Sequence, residues 1–349
     1  MIRTLSRNRG FPNRSPRPCR FSLPCLALVA LCLSLTLSST AQAARRWRTP
    51  LTCQSNTVYD GGGVAIDATR LTRVFNVYGV KNVTIRNYSI IGGDTTRVLD
   101  IAYASGVKIE NVTIRRGAAE VVHVHSSSNV TIDRVVADII DRYFVWIDTS
   151  DGVRVSRSAL ITGSRDETGI RVMDWSSNVI IEGCTIRNRL NKQTALRLHD
   201  GQNFVVRASQ FEGHVWVGPM GGGDGGQRVS NLFQRRTLLA KTTSNVLFED
   251  VDILGSIGPQ AGLSGFTMMR GSIVTKPDSP FFSSPFNNTT WNYPEQQYAK
   301  SGDPTRAPAS GVMRGVTFIA RGMSKLNYDN NGPFRLLSCT LNRRPVFDR

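Results

Sequence analysis

Seven residues at matching places in a series of short apolar segments carry the side chains best suited to chemistry. They are Asn76, Asp100, His123, Trp146, Arg171, Arg197 and Trp216, each flanked by apolar residues, as in Leu99-Asp-Ile101, Val122-His-Val124 and Leu196-Arg-Leu198. If each segment is a strand, the flanking residues point one way and the middle one the other. Arginine recognises carboxylate or sulfate through two parallel hydrogen bonds, and tryptophan offers a flat stacking surface. This set suits β-elimination or C5 epimerisation of a uronic acid, in which a base removes the proton α to a carboxylate. The charge that develops needs a cation, either Ca²⁺ or arginine. Arg171 and Arg197 are the expected cations, and Asp100, Trp146 and Trp216 the expected substrate contacts. His123 is the base within the column, about 10 Å from Arg171 at two strand spacings. His199 lies just past the segment holding Arg197 and forms the tighter pair with it, while His214 is a further alternative.

Hydrolysis by paired carboxylates is the competing chemistry. Asp166 and Glu167 precede Ile170-Arg-Val172, and Asp141 precedes Val145-Trp-Ile147. No cofactor is required by either scheme. Asp148, Asp151 and Asp174 sit where turns follow these segments and would be the calcium ligands if one were used, although aspartate is also ordinary turn chemistry. No metal ligand is assigned, and His123-x-His125 alone is a weak signal.

What positions these residues is a repeat of about 24 residues, opened by a turn residue and an apolar alternation. It reads Asn82-Val83-Thr-Ile85, Gly106-Val107-Lys-Ile109, Asn129-Val130-Thr-Ile132, Gly152-Val153-Arg-Val155, Asn178-Val179-Ile-Ile181 and Asn203-Phe204-Val-Val206, with Asn245-Val246-Leu-Phe248 after a longer gap. Asn and Gly most readily accept a left-handed backbone. A second segment follows closely, as in Val112-Thr-Ile114 and Cys184-Thr-Ile186, and the third is the one bearing the column. From the end of a third segment to the next opening apolar residue the interval is six in most repeats and seven from Val172. All three segments are too short for helices and rich in Val, Ile and Thr. A fixed period of this kind means stacked coils.

Residues 58–275, and more weakly on to 341, resemble the pectin-lyase-like right-handed parallel β-helix superfamily. The resemblance implies an all-β fold, a single β-helix of three strands per coil and roughly 9–10 coils, with a substrate groove along one face. Lyases, hydrolases, epimerases, phage tailspikes and adhesins share this architecture, so fold alone does not choose among them. The acids before consecutive strands are similar to the polygalacturonase arrangement. The Gly-His-Gly of that family is absent, however, with Lys192-Gln193-Thr194 near its place, and no Arg-Ile-Lys follows. Val145-Trp146-Ile147-Asp148 resembles the Trp-Ile-Asp-His of pectate lyases, but Thr149 replaces the histidine. The Asp-Pro-His-Asp of alginate epimerases is also missing.

The chain begins with six arginines before residue 21, an apolar run from Phe21 to Leu37, and an Ala-x-Ala site ending at Ala43. These are the parts of a secretory signal. Residues 1–43 are therefore expected to be a signal peptide and 44–349 the β-helix domain, secreted or periplasmic, with no membrane span in the mature chain. Cleavage lowers the net charge from +17 to +11. A basic exported protein expects anionic partners, and an acidic polysaccharide is the one that suits the column. Nucleic acid is not expected, because no helix-turn-helix, zinc-finger or RNA-binding signature occurs. The sequence leaves the oligomeric state open. The leading expectation is a lyase- or epimerase-like protein; the alternatives are a non-catalytic polysaccharide binder and a surface adhesin or other structural β-helix. Cys53, Cys184 and Cys339 are expected to be buried thiols. Two segments break the rhythm: a basic Gly-rich insertion at Gly218–Lys241, and a Pro/aromatic loop at 277–308 whose aromatics, Phe281 and Phe282 among them, are expected to pack along the helix side or close an end, with a sugar-stacking wall of a groove as the alternative.

Overall fold

The computed structural model describes residues 44–116, 118–138, 140–161, 169–187, 194–218, 242–259, 263–275, 281–282, 310–320 and 334–346, with Ala118, Asp141 and Phe334 described by backbone alone. These residues form a solenoid of parallel strands, without helices, in two sheets of nineteen and nine strands. None of them forms a helix long and apolar enough to cross a membrane.

The nine-stranded sheet is built wholly from the third segments. Its order follows the chain: Leu51–Thr52, Arg73–Tyr78, Thr96–Ala102, Ala118–His125, Ile140–Asp148, Ile170–Met173, Thr194–Leu198, His214–Val217 and Ile257–Pro259. The larger sheet holds the first and second segments. The sequence suggests two separate short strands there, but several coils run them as one bent strand, as in Thr84–Gly92, Ser128–Ala137 and Thr243–Leu254. The bend needs only one left-handed residue: Asn87 (φ 59), Asn111 (φ 52), Arg134 (φ 51) and Asp250 (φ 53) occupy it in successive or related coils. A single residue of that conformation redirects the chain while the ladder on either side continues.

The turn that opens each repeat behaves as its composition predicts. Asn82, Asn129 and Asn178 (each φ 53), Asn203 (φ 59) and Asn245 (φ 54) are left-handed, as are Gly106 and Gly152 (both φ 65). The asparagines stack by side-chain hydrogen bonds: Asn203 Nδ2 donates to Asn178 Oδ1 at 3.0 Å, and Asn245 Nδ2 to Asn203 Oδ1 at 3.1 Å. Below them the Asp151 carboxylate accepts from Asn178 Nδ2 at 2.7 Å.

Inside the coils one continuous core of Val, Ile, Leu and Phe is buried from Cys53 to Leu341. Cys53, Cys184 and Cys339 are free, buried thiols. Cys184 and Cys339 occupy similar inward sites, with Sγ near the carbonyl of a preceding coil, Val155 at 3.6 Å and Met313 at 3.3 Å. Of the Pro/aromatic loop, Phe281 and Phe282 are buried and pack against Phe318 at ring-centroid distances of 5.2 and 6.0 Å. The rest of that loop, and the Gly-rich insertion beyond Gly218, lie outside the described residues. At the C-terminal end Cys339–Leu341 turns back on Arg344–Val346 as the one antiparallel pair among the described strands. That hairpin covers a sheet end that would otherwise present unpaired backbone.

Candidate functional site

Strand register decides whether the seven singled-out residues form a line. Asn76 pairs with Asp100, Asp100 with His123, His123 with Trp146, Trp146 with Arg171, Arg171 with Arg197, and Arg197 with Trp216. The apolar neighbours on each side, such as Val122 and Val124, are buried, while His123, Trp146, Arg171, Arg197 and Trp216 are half-buried on the outside. The column is therefore continuous, one residue per coil, and Gly258 follows Trp216 in the next strand.

The upper part is cationic and aromatic. The Arg197 guanidinium lies 4.4 Å from the centre of the Trp216 ring, and Arg171 lies 5.7 Å from Trp146 and 5.5 Å from Tyr143. Arg171 also donates from Nη1 to the Tyr143 hydroxyl at 2.7 Å, and Arg197 leans on Thr194 Oγ1 at 3.4 Å. Stacking over an aromatic face holds a guanidinium flat. The indole N–H groups of Trp146 and Trp216 find no acceptor among the described residues.

The lower part is an ion-pair network. The Asp100 carboxylate is held by Arg73 at 2.7 Å, Arg97 at 3.4 Å and His123 Nδ1 at 3.3 Å. Arg97 also pairs with Glu120 at 2.5 Å. On its other side the His123 ring meets Asp148 Oδ2 from Nε2 at 3.2 Å and stacks on Trp146 with centroids 4.6 Å apart. Burial works against the His123 imidazolium, but hydrogen bonds to Asp100 and Asp148 prevail and hold its pKa up at about 8. Burial likewise works against both carboxylates, yet the histidine hydrogen bonds and adjacent cations keep Asp100 and Asp148 below the usual range. Beside this network opens a cleft of about 600 Å³ lined by Arg73, Arg97, Arg142, Asp94, Glu120 and Thr95.

The histidine and acid candidates separate. His199 lies two residues past Arg197 but is buried, 1% exposed, and does not open onto the face. Burial first, then the charges of Arg197 and Arg171, push its pKa down to about 3. His214 meets Ser256 Oγ from Nδ1 at 2.5 Å, and burial lowers its pKa. Asp166 and Glu167 lie outside the described residues, as does the side chain of Asp141. Of the three turn aspartates, Asp148 joins His123 and His125 as the one group of three potential metal ligands among the described residues, without Asp151 or Asp174. Asp151 is engaged by Ser177 and Asn178 in the turn stack.

Three contributors escape a reading of the column alone. Arg73, Arg97, Glu120 and Tyr143 form a parallel line three residues earlier, each three before its column member. Tyr78, Ala102, His125, Asp148 and Met173 form another, two residues later. The same constant offsets within the third segment would have found both lines. Arg142, from the cleft, has no such marker.

Residues 52–231 match the family described as the right handed beta helix region. The chain belongs to the right-handed β-helix family. Among solved structures this β-helix is similar to the catalytic domain of a GH87 alpha-1,3-glucanase in complex with tetrasaccharides, at 12% identity and TM-score 0.46, over 84% of this chain and 62% of that one. It is also similar to a mutant tailspike protein of E. coli bacteriophage HK620, at 10% identity and TM-score 0.44, over 86% and 58% of the two chains. Another mutant of that tailspike, in complex with pentasaccharide, aligns at 8% identity and TM-score 0.44 over 90% and 60%. The chain thus spans about 60% of the length of these structures. No curated protein matches it.

Proposed function

We propose that the exported β-helix domain, freed from a signal peptide at residues 1–43, binds an acidic polysaccharide along the nine-stranded face, and that the reaction there is elimination or C5 epimerisation. One observation carries this reading: the register-matched column in which Arg171 and Arg197, one coil apart, each lie over an indole. Adjacent strands are about 4.8 Å apart, so the two guanidiniums offer successive sites for carboxylates, with Trp146 and Trp216 as platforms for sugar rings. Arg142 borders the neighbouring cleft, whose other arginines, Arg73 and Arg97, are neutralised by Asp100 and Glu120. In the reaction, Arg171 neutralises the carboxylate beside the acidic carbon. Among the described residues the Tyr143 oxygen, 2.7 Å from Nη1, is placed to take the proton as its phenolate, which the adjacent guanidinium favours. His123 lies two coils away beyond Trp146 and contributes as a wall of the groove. His199, buried and neutral, is not used.

The test is incubation of purified protein with polygalacturonate, alginate and glycosaminoglycans, read by the absorbance of unsaturated uronates and by C5 inversion in proton NMR. Turnover lost in Tyr143→Phe with binding retained supports the reaction. Binding without turnover on every polymer makes the protein a polysaccharide binder. If Arg171→Ala and Arg197→Ala leave both binding and turnover intact, the face is not the site.

A further inference from the structure

We infer that His123, His125 and Asp148 form a binding site for one first-row divalent transition metal ion of the zinc type. The three come from two neighbouring strands, Ala118–His125 and Ile140–Asp148, in which His125 and Asp148 are direct register partners. Each offers one ligand atom, and these atoms all lie within 4.8 Å of one another. Zinc–ligand bonds of about 2.0–2.2 Å place tetrahedral ligands about 3.3 Å apart. His123 Nε2 and Asp148 Oδ2 are already 3.2 Å apart. His125 Nδ1 meets the other carboxylate oxygen, Asp148 Oδ1, in a close contact.

The arrangement behind the ligands points the same way. A metal-binding imidazole usually has its second nitrogen held by a carboxylate, carbonyl or water, which fixes the tautomer and aims the first nitrogen. Both rings approach that arrangement through separate partners, a carboxylate at ion-pair distance for one and a serine hydroxyl for the other. His123 Nδ1 faces Asp100 at 3.3 Å, leaving Nε2 toward Asp148. His125 Nε2 meets Ser126 Oγ at 3.2 Å, leaving Nδ1 toward the same carboxylate. The inner parts are shielded, with His123 12% and Asp148 10% exposed, while His125 at 35% gives the ion a way in and leaves room for solvent or substrate as a further ligand. Two imidazoles and one carboxylate suit zinc, iron(II) and their neighbours. They do not suit calcium, which needs six to eight oxygens.

The site stands on these residues alone and does not depend on the polysaccharide reading. Full chain without an affinity tag is stripped with a chelator, dialysed, and titrated calorimetrically with Zn²⁺ and with Ca²⁺. A parallel titration follows Co²⁺ by its visible d–d absorption. The expected result is one equivalent of Zn²⁺ per chain, a Co²⁺ spectrum, and no saturable Ca²⁺ uptake. His125→Ala, at the exposed edge, should weaken Zn²⁺ binding at least tenfold with an unchanged far-UV CD spectrum. Asp100→Asn, which leaves all three ligands in place, should weaken it by about 10–100-fold. Absence of saturable Zn²⁺ uptake overturns the inference. So does uptake in both variants equal to that of the parent protein. No sugar is present, so failure here leaves the polysaccharide reading standing, and the reverse also holds.

Discussion

Replacing His199 by glutamine should remove much of the protein's acid sensitivity between pH 6.5 and 4. The imidazole is 1% exposed, and burial together with Arg197 and Arg171 lowers its pKa from 6.5 to about 3. The unfolded chain therefore binds a proton that the folded chain refuses. With the folded pKa depressed, the stability contribution is complete above pH 6.5 and is lost as the pH falls toward 3. At about 1.4 kcal/mol per pH unit, the loss reaches about 2 kcal/mol at pH 5 and about 5 kcal/mol once both states are protonated. Glutamine keeps a polar side chain of similar reach without titrating. Urea unfolding of both proteins at pH 7.5, 6, 5 and 4.5, followed by far-UV CD, gives the two stability curves. Their difference cancels the contributions of His123, His214 and the carboxylates, which both proteins share. The expected difference grows by about 2 kcal/mol between pH 7.5 and 5. Parallel curves would refute the argument and would show that His199 is solvated or protonated in the fold.

Further outcomes follow from other parts of the stack. Arg197→Ala should weaken binding of acidic oligosaccharides about tenfold, or about 1.4 kcal/mol, and flatten its salt dependence, as measured by calorimetry at two ionic strengths. Asn203→Ala should destabilise by about 1–3 kcal/mol, because it forces a Cβ-bearing apolar residue into φ 59 and breaks two ladder hydrogen bonds; Asn203→Gly should recover the conformational share in a urea melt. Burial pushes the Cys53 and Cys184 thiols up to about 12 and about 11, so a thiol reagent should find them unreactive at pH 8 until denaturant is added.

Much of the fold is legible in the sequence because a parallel coil leaves little freedom. The left-handed turn selects Asn or Gly, the alternation selects inward aliphatics, and a constant six-residue interval then locks one coil's register to the next. Asn76 through Trp216 could be lined up on those grounds alone. The line containing Asp148 continues the same alternation two residues on, whereas the line containing Tyr143 breaks it, since two consecutive inward residues, such as Val121 and Val122, separate Glu120 from His123. His199 shows where spacing stops being informative. Two residues past Arg197 it falls in the line of His125 and Asp148, yet just past the end of its strand it is almost fully covered, and burial rather than spacing sets its chemistry. Whether the first and second segments form one bent strand or two is not legible, because the same left-handed corner serves both, as at Arg134 (φ 51) within one strand and Arg157 (φ 47) between two, and several residue types meet it.

The Asn203–Asn245 hydrogen bond spans a stretch nearly twice the usual repeat, yet the turn stack and the strand pairing on either side continue unbroken: Phe204 still pairs with Val246 and Val206 with Phe248. All of the added length enters at one corner, between the strand ending at Val217 and the one starting at Thr243. Two kinds of inherited change are therefore separable in this architecture. Duplicating a whole coil lengthens the face by one strand spacing, whereas exchanging a corner segment alters what borders the face while its span stays fixed. A one-residue insertion inside a strand does neither, because it turns the column inward and exposes the core. Descendants of such a chain would be expected to differ by whole coils and by corner segments, with the strand interiors nearly constant in length.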